Sequence, residues 1–186
     1  DMGHVIKLLG VARNTEKGVE VMVHPMLIAQ DHPLASVNDS YNAVFVRGDA
    51  VQDTMFYGRG AGELPTASAV VGDIFEIIRN MAFGCCGRIG CTCYKELPIV
   101  PVEETYSKYF IRIRVEDRTG VLASIAAVFG NNSVSLEQVM QRRRKEDCAE
   151  LVLITAAVKE RHLRDALTIL EGMSIVREIS SVIRVD

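Results

Sequence analysis

Residues 116–139, EDRTGVLASIAAVFGNNSVSLEQV, decide how this chain is read. The opening Glu116-Asp117-Arg118-Thr119-Gly120 breaks a strand and precedes a helix, with Asp117 or Thr119 able to cap it. Val121, Leu122, Ile125, Ala126 and Phe129 recur at helical spacing and form one apolar stripe. Gly130-Asn131-Asn132 ends the helix, because glycine and asparagine tolerate a left-handed cap. Ser133 to Gln141 then reads as a strand. Just upstream, Ile111, Ile113 and Val115 alternate with Arg112 and Arg114, a strand with one apolar face.

Working outward, RRRKED (142–147) is a charged hairpin turn, better read as a solvated tip than as a phosphate contact. Ala149 to Ala157 is apolar throughout, which predicts a central strand. Leu163, Ala166, Leu167 and Leu170 give a second helix. Ile175, Ile179, Ile183 and Val185 predict one face of a last strand. The order is βαββαβ, which implies a four-stranded antiparallel sheet with both helices on one face. The other face is left for solvent or for a second copy.

The first eighty residues are different. Val19, Val21 and Val23 alternate with polar or longer residues in a half-buried strand that Pro25 should stop. Pro33 permits a short helix. Tyr41–Arg47 and Val51–Tyr57 form a hairpin around Gly48-Asp49. Next comes YGRGAGELPTASAVVGDIFEIIR (57–79), with Gly58, Gly60 and Gly62 leading into a helix. A Gly-rich junction of this kind allows close backbone approach and aims free N–H groups at a ligand. The spacing is not the dinucleotide fingerprint, since Glu63 stands where a third glycine is needed, and no P-loop lysine follows. No Ser/His/Asp set appears, and His4, His24 and His32 read as structural. Residues 80–108 lose all periodicity and read as a linker.

Composition narrows the classes. The 186 residues allow one large or two small domains, and the net charge is −3. Residues 1–80 hold six basic and ten acidic side chains and residues 109–186 hold twelve and eleven, so neither half suggests nucleic acid. No apolar run is long enough to span a membrane, and the start lacks a signal peptide. That abrupt start predicts a chain cut from something longer. Four of the five cysteines lie in CCGRIGCTC (85–93), with no Cys-x-x-Cys pair for zinc, and reduced cytoplasmic thiols are expected. Cys148 reads as a buried hydrophobe.

At residues 116–139 the second half resembles an ACT domain, a module that senses amino acids. Thr119 stands where the usual pattern has proline, and Ser135 where it often has asparagine. The first half resembles the C-terminal part of homoserine dehydrogenase at IKLLGVA (6–12), HPLASV (32–37), NAVFVRGD (42–49) and YGRGAGELPTASAVVGDI (57–74). GCTCY (90–94) also fits the long, ACT-bearing form.

The resemblance implies an α+β chain: a partial mixed α/β substrate-domain segment, then a ferredoxin-like βαββαβ ACT domain. The implied divisions are residues 1–80, the end of a substrate and dimerisation domain; 81–108, a linker; and 109–186, the regulatory domain. It implies an NAD(P)-dependent enzyme interconverting aspartate semialdehyde and homoserine, on the route to threonine and methionine. The catalytic residues would precede the segment, leaving it inactive alone. Gly62, with Gly60, Ala61 and Thr66, would lie at the nicotinamide cofactor. Asp117, Thr119, Gly120 and Val121, with Val134 and Ser135 on the second strand, would receive an amino-acid effector, threonine being expected. ACT pairing would give a dimer or tetramer. The alternative is a non-enzymatic amino-acid sensor.

Overall fold

The structure is a computed structural model that describes residues 3–85, 95–143 and 148–186, the side chains of 142 and 143 excepted. Residues 144–147 of the RRRKED stretch and residues 86–94, which hold most of the cysteine cluster, lie outside the described residues. The chain parts into two compact units, Asp1–Ala29 with Leu97–Asp186, and Gln30–Glu96.

In the first unit the β-rich pattern of the opening residues makes a long hairpin, β1 (His4–Thr15) and β2 (Gly18–Ala29). β5 (Tyr106–Glu116), α2 (Val121–Asn131), β6 (Leu136–Arg143), β7 (Cys148–Thr155), α3 (Glu160–Glu171) and β9 (Val176–Val185) follow the expected βαββαβ order, with the two-residue β8 (Val158–Lys159) beside β5. The strands lie in the order β1-β2-β9-β5-β7-β6. The sheet therefore extends beyond the four strands that the sequence predicts, because the hairpin joins it through a parallel pairing of β2 with β9.

The core is the inner face of β5 and β7 under the two helices. Ile111, Ile113, Ile125, Phe129, Leu153 and Leu170 are sealed from solvent there. β7 is the inner strand its composition predicts, buried on both faces. β9 departs from a single face. Ile179 packs against the core, but a register shift separates the pairs Ile113↔Ile179 and Arg112↔Ser181. One extra residue reverses the alternation. Ile183 and Val185 consequently turn to the helix-free side, where they line a groove with Phe110.

Three local expectations are corrected. Pro25 does not end β2: it pairs with Leu8 inside the hairpin. The ladder to β9 begins only at Met26, so the missing N–H of Pro25 falls outside it. At the end of α2 the left-handed residue is Ser133, with φ of 60°, rather than a glycine or asparagine. Cys148 is a free thiol and only half-buried. The linker also has an ordered tail, since Val19 donates to Pro98 and accepts from Val100, each at 2.9 Å. Gly18 makes that contact possible: its φ is +135°, and a Cβ there would stand 2.2 Å from the Pro98 carbonyl oxygen.

The second unit holds η1 (Pro33–Ser36), the ribbon of β3 (Tyr41–Gly48) with β4 (Gln52–Arg59), and α1 (Glu63–Ala82). Pro33 opens its short helix as predicted, and His32 caps it by accepting from the Leu34 N–H at 3.1 Å. Stacked Tyr41 and Tyr57, with ring centroids 4.9 Å apart, fix the ribbon's open end. Arg47 pairs with Asp53 at 2.8 Å across the ribbon and holds that carboxyl below its usual range. None of the twenty residues of α1 is buried.

Candidate functional site

The turn from β5 to α2 shapes a cavity of about 210 Å³. Its lining includes Glu116, Arg118, Thr119, Gly120, Val121 and Gln141. Drug-sized sites run to roughly 300–1,000 Å³, so this one suits a ligand of few heavy atoms. Gly120 is the N-cap of α2 in a left-handed conformation, φ 86°, and as a glycine it brings no capping side chain of its own. The first-turn N–H groups point into this turn, where the Val121 N–H reaches the Arg118 carbonyl at 3.5 Å.

The charges around the cavity are arranged in alternation. Glu116 is held by Arg118 at 3.1 Å and by Arg177 at 3.0 Å, with its side chain 28% exposed. Arg177 comes from β9, and the carbonyl of Ile175, just before that strand, receives the Glu116 N–H at 3.0 Å. An anionic group meets Arg118 and the helix N-terminus; a cationic group meets Glu116.

Thr119, Gly120 and Val121 are brought together in this lining. Asp117 is not in it, and the N-cap position of α2 is held by Gly120 rather than by Asp117 or Thr119. Val134 is a core residue, 3% exposed, and Ser135 is exposed with its carbonyl accepting from the Ala156 N–H. Neither lines the cavity. Sequence reasoning passed over Glu116, Arg118, Gln141 and Arg177. The first had a signal, since Arg112, Arg114 and Glu116 alternate on one face of β5. Gln141 and Arg177 arrive through sheet pairing, which local pattern does not reveal.

In the second unit, Gly60, Ala61, Gly62 and Thr66 are all exposed at the entrance to α1. Gly62 is the N-cap, with φ of 126°, and its carbonyl accepts from the Thr66 N–H at 3.1 Å. No side chain caps this helix. A Cβ on Gly62 would come within 3.3 Å of Pro65 Cδ, so the turn itself requires glycine. Gly60 is tied to the ribbon by donating its N–H to the Ser40 carbonyl at 3.3 Å. Among the described residues no group of histidine, cysteine and carboxylate side chains is placed to hold a metal, and no helix is long and apolar enough to cross a membrane.

Residues 1–75 match the homoserine dehydrogenase family model and residues 109–173 match the ACT domain model. The chain is 41% identical over 190 residues to a homoserine dehydrogenase of Corynebacterium glutamicum, covering 99% of this chain and 42% of the relative. It is 36% identical to that of Bacillus subtilis, covering 100% and 43%. Among solved structures, a homoserine dehydrogenase from Thiobacillus denitrificans superposes with a TM-score of 0.87 at 35% identity, over 99% of this chain and 43% of that one. The chain therefore spans under half the length of the relatives it matches.

Proposed function

The chain corresponds to the C-terminal region of homoserine dehydrogenase, carrying an ACT domain, and from that premise we propose that it is the regulatory end of an NAD(P)-dependent enzyme that interconverts aspartate semialdehyde and homoserine. The observation that carries this reading is colinear similarity along the whole chain, joined to a charge-lined cavity at the β5–α2 turn. We assign residues 1–80 to the end of the substrate and dimerisation part, 81–108 to a linker and 109–186 to regulation. The enzyme acts in the cytoplasm as a dimer or tetramer, with ACT domains pairing.

In this reading the cavity takes an amino acid, threonine as the pathway's end product. The ligand carboxylate lies against Arg118 and the first-turn N–H groups of α2 beside Thr119, Gly120 and Val121. The ammonium faces a carboxylate. Asp117 is the sequence-based choice, but Glu116 is the one in the lining. The Val134–Ser135 stretch belongs to the face shared with a second copy. At the other site, the turn Gly60-Ala61-Gly62 and Thr66 approach the nicotinamide cofactor. What the cofactor supplies when bound is hydride transfer; these residues supply position.

The test uses the longer enzyme. It should oxidise homoserine with NAD(P), lose activity on adding threonine, and keep activity but lose that inhibition in E116Q. Gly62→Val should weaken cofactor binding while the protein stays folded. The 186-residue chain alone should turn over no homoserine. An enzyme indifferent to threonine refutes the regulatory assignment, and one without homoserine-dependent reduction of NAD(P) refutes the catalytic one.

A further inference from the structure

The β1–β2 hairpin meets the remainder of its sheet along a short seam. Only Met26 and Leu27 pair with β9, opposite Arg184 and Val185. One more bond, from the Asp186 N–H to the Leu27 carbonyl at 3.0 Å, and an Arg13–Asp186 pair at 3.5 Å complete it. That pair is solvent-exposed and therefore weak. The hairpin is also fastened at its far end, where Val19 meets Pro98 and Val100, and by the buried side chains of Met26 and Ile28.

Beneath the seam lies a polar cluster drawn from three elements. The Arg184 guanidinium of β9 pairs with the Glu160 carboxylate of α3, which also accepts the Tyr109 hydroxyl of β5. Arg184 lies over the Tyr109 ring, 5.4 Å from its centroid. Burial first, and then the bond to Glu160, push the Tyr109 hydroxyl up to about 12, so it remains a donor. Arg164, also on α3, approaches the other Glu160 oxygen at 3.6 Å. The Glu160 carboxylate is thus already engaged by three groups.

His24, on β2 two residues before the seam, lies within electrostatic range of Arg184 and Glu160. Both of its ring nitrogens are shut off from solvent, and neither reaches a partner in good hydrogen-bond geometry, only weak backbone contacts at Pro25 and at His24 itself. A neutral imidazole tolerates this at the cost of one idle N–H and one idle lone pair, whereas an imidazolium leaves two donors and a charge unmatched.

We propose that the seam between β2 and β9 is an acid-released joint, opened when His24 takes up a proton beside Arg184. The proposal goes beyond the functional reading above and does not depend on it. Burial, then the Arg184 cation, hold the His24 pKa below its ordinary value of 6.5, against smaller opposing pulls from the backbone at Pro25 and His24 and, least, from Glu160. A released hairpin, with His24 in water, binds the proton more tightly. Docking is therefore fully supported above that ordinary value and weakens as pH falls from it toward the lowered one. The hairpin lies in the segment that matches homoserine dehydrogenase and β9 closes the ACT sheet, so release would uncouple the two.

The experiment is hydrogen exchange of the full chain at pH 7.5 and 5.5, corrected for intrinsic rates. In wild type, protection of residues 26–29 and 183–186 should fall by up to about tenfold per pH unit below 6.5, while β7 and α2 hold. In His24→Leu the seam should keep its protection at both pH values. Equal loss in that variant would overturn the proposal. If His24→Leu fails to fold, an NMR titration of the wild-type His24 ring decides: a pKa below 6.5 supports the joint, and one at or above it refutes it.

Discussion

Helix α2 buries Val121, Ile125 and Phe129 within eleven residues, whereas α1 runs for twenty, holds Ile74, Phe75, Ile77 and Ile78, and buries none of them. Both helices are legible from the spacing of apolar residues. Their fates differ because burial needs an opposing surface. α2 finds one in β5, just upstream, and in β7, which follows after one intervening strand. Those four residues of α1 lie about half exposed, from 48% at Ile74 to 57% at Ile77, and Leu64 and Met81 of the same helix reach 80% and 70%. An exposed patch of this kind marks an interaction face. In the reading proposed above, its cover is supplied by the remainder of a longer enzyme.

The difference can be broken most sharply at Phe129, which is fully buried in the core. Phe129→Ala should cost about 3–5 kcal/mol of stability in denaturant unfolding, through lost burial and the cavity left behind. A loss below about 1 kcal/mol would mean that the core is not where the structure puts it. A smaller effect, about 1–3 kcal/mol, is expected from Gly18→Val, since its φ of +135° and the nearby Pro98 carbonyl leave no room for a side chain. The damage should appear as lost protection of Val19 and Val100. Smallest of all, Ile74→Ala on α1 should move the stability of this chain by no more than about 0.5 kcal/mol. The same change in the longer enzyme should cost about 2 kcal/mol or more if α1 is covered there. Equal effects in both proteins would leave α1 a solvent helix and remove the contrast.

What the sequence made legible follows physical locality. The Ile111, Ile113, Val115 alternation and the stripe through Ile125 and Phe129 fix a strand and a helix whose partners are near in sequence, so βαββαβ could be read. The β1–β2 hairpin's place in the same sheet could not. It depends on two residue pairs, Met26↔Arg184 and Leu27↔Val185, more than 150 positions apart. The reversal of face along β9 was hidden for a related reason, since a bulge is a property of pairing rather than of pattern. At the cavity, Thr119, Gly120 and Val121 were found because they share a turn. Glu116 was overlooked in favour of its neighbour Asp117, and Arg177 arrives from another strand entirely.

The most direct measurement of the regulatory account is the melting temperature of this chain as threonine is titrated. Binding at the β5–α2 cavity should raise it in a saturating, dose-dependent way, with a stabilisation of about 2.7 kcal/mol at a hundredfold excess over the dissociation constant. E116Q, which keeps the side-chain shape but removes the charge facing the ligand, should abolish the rise with little change in baseline stability. A wild-type melting temperature that threonine leaves unmoved, or a rise of equal size in E116Q, would contradict the account.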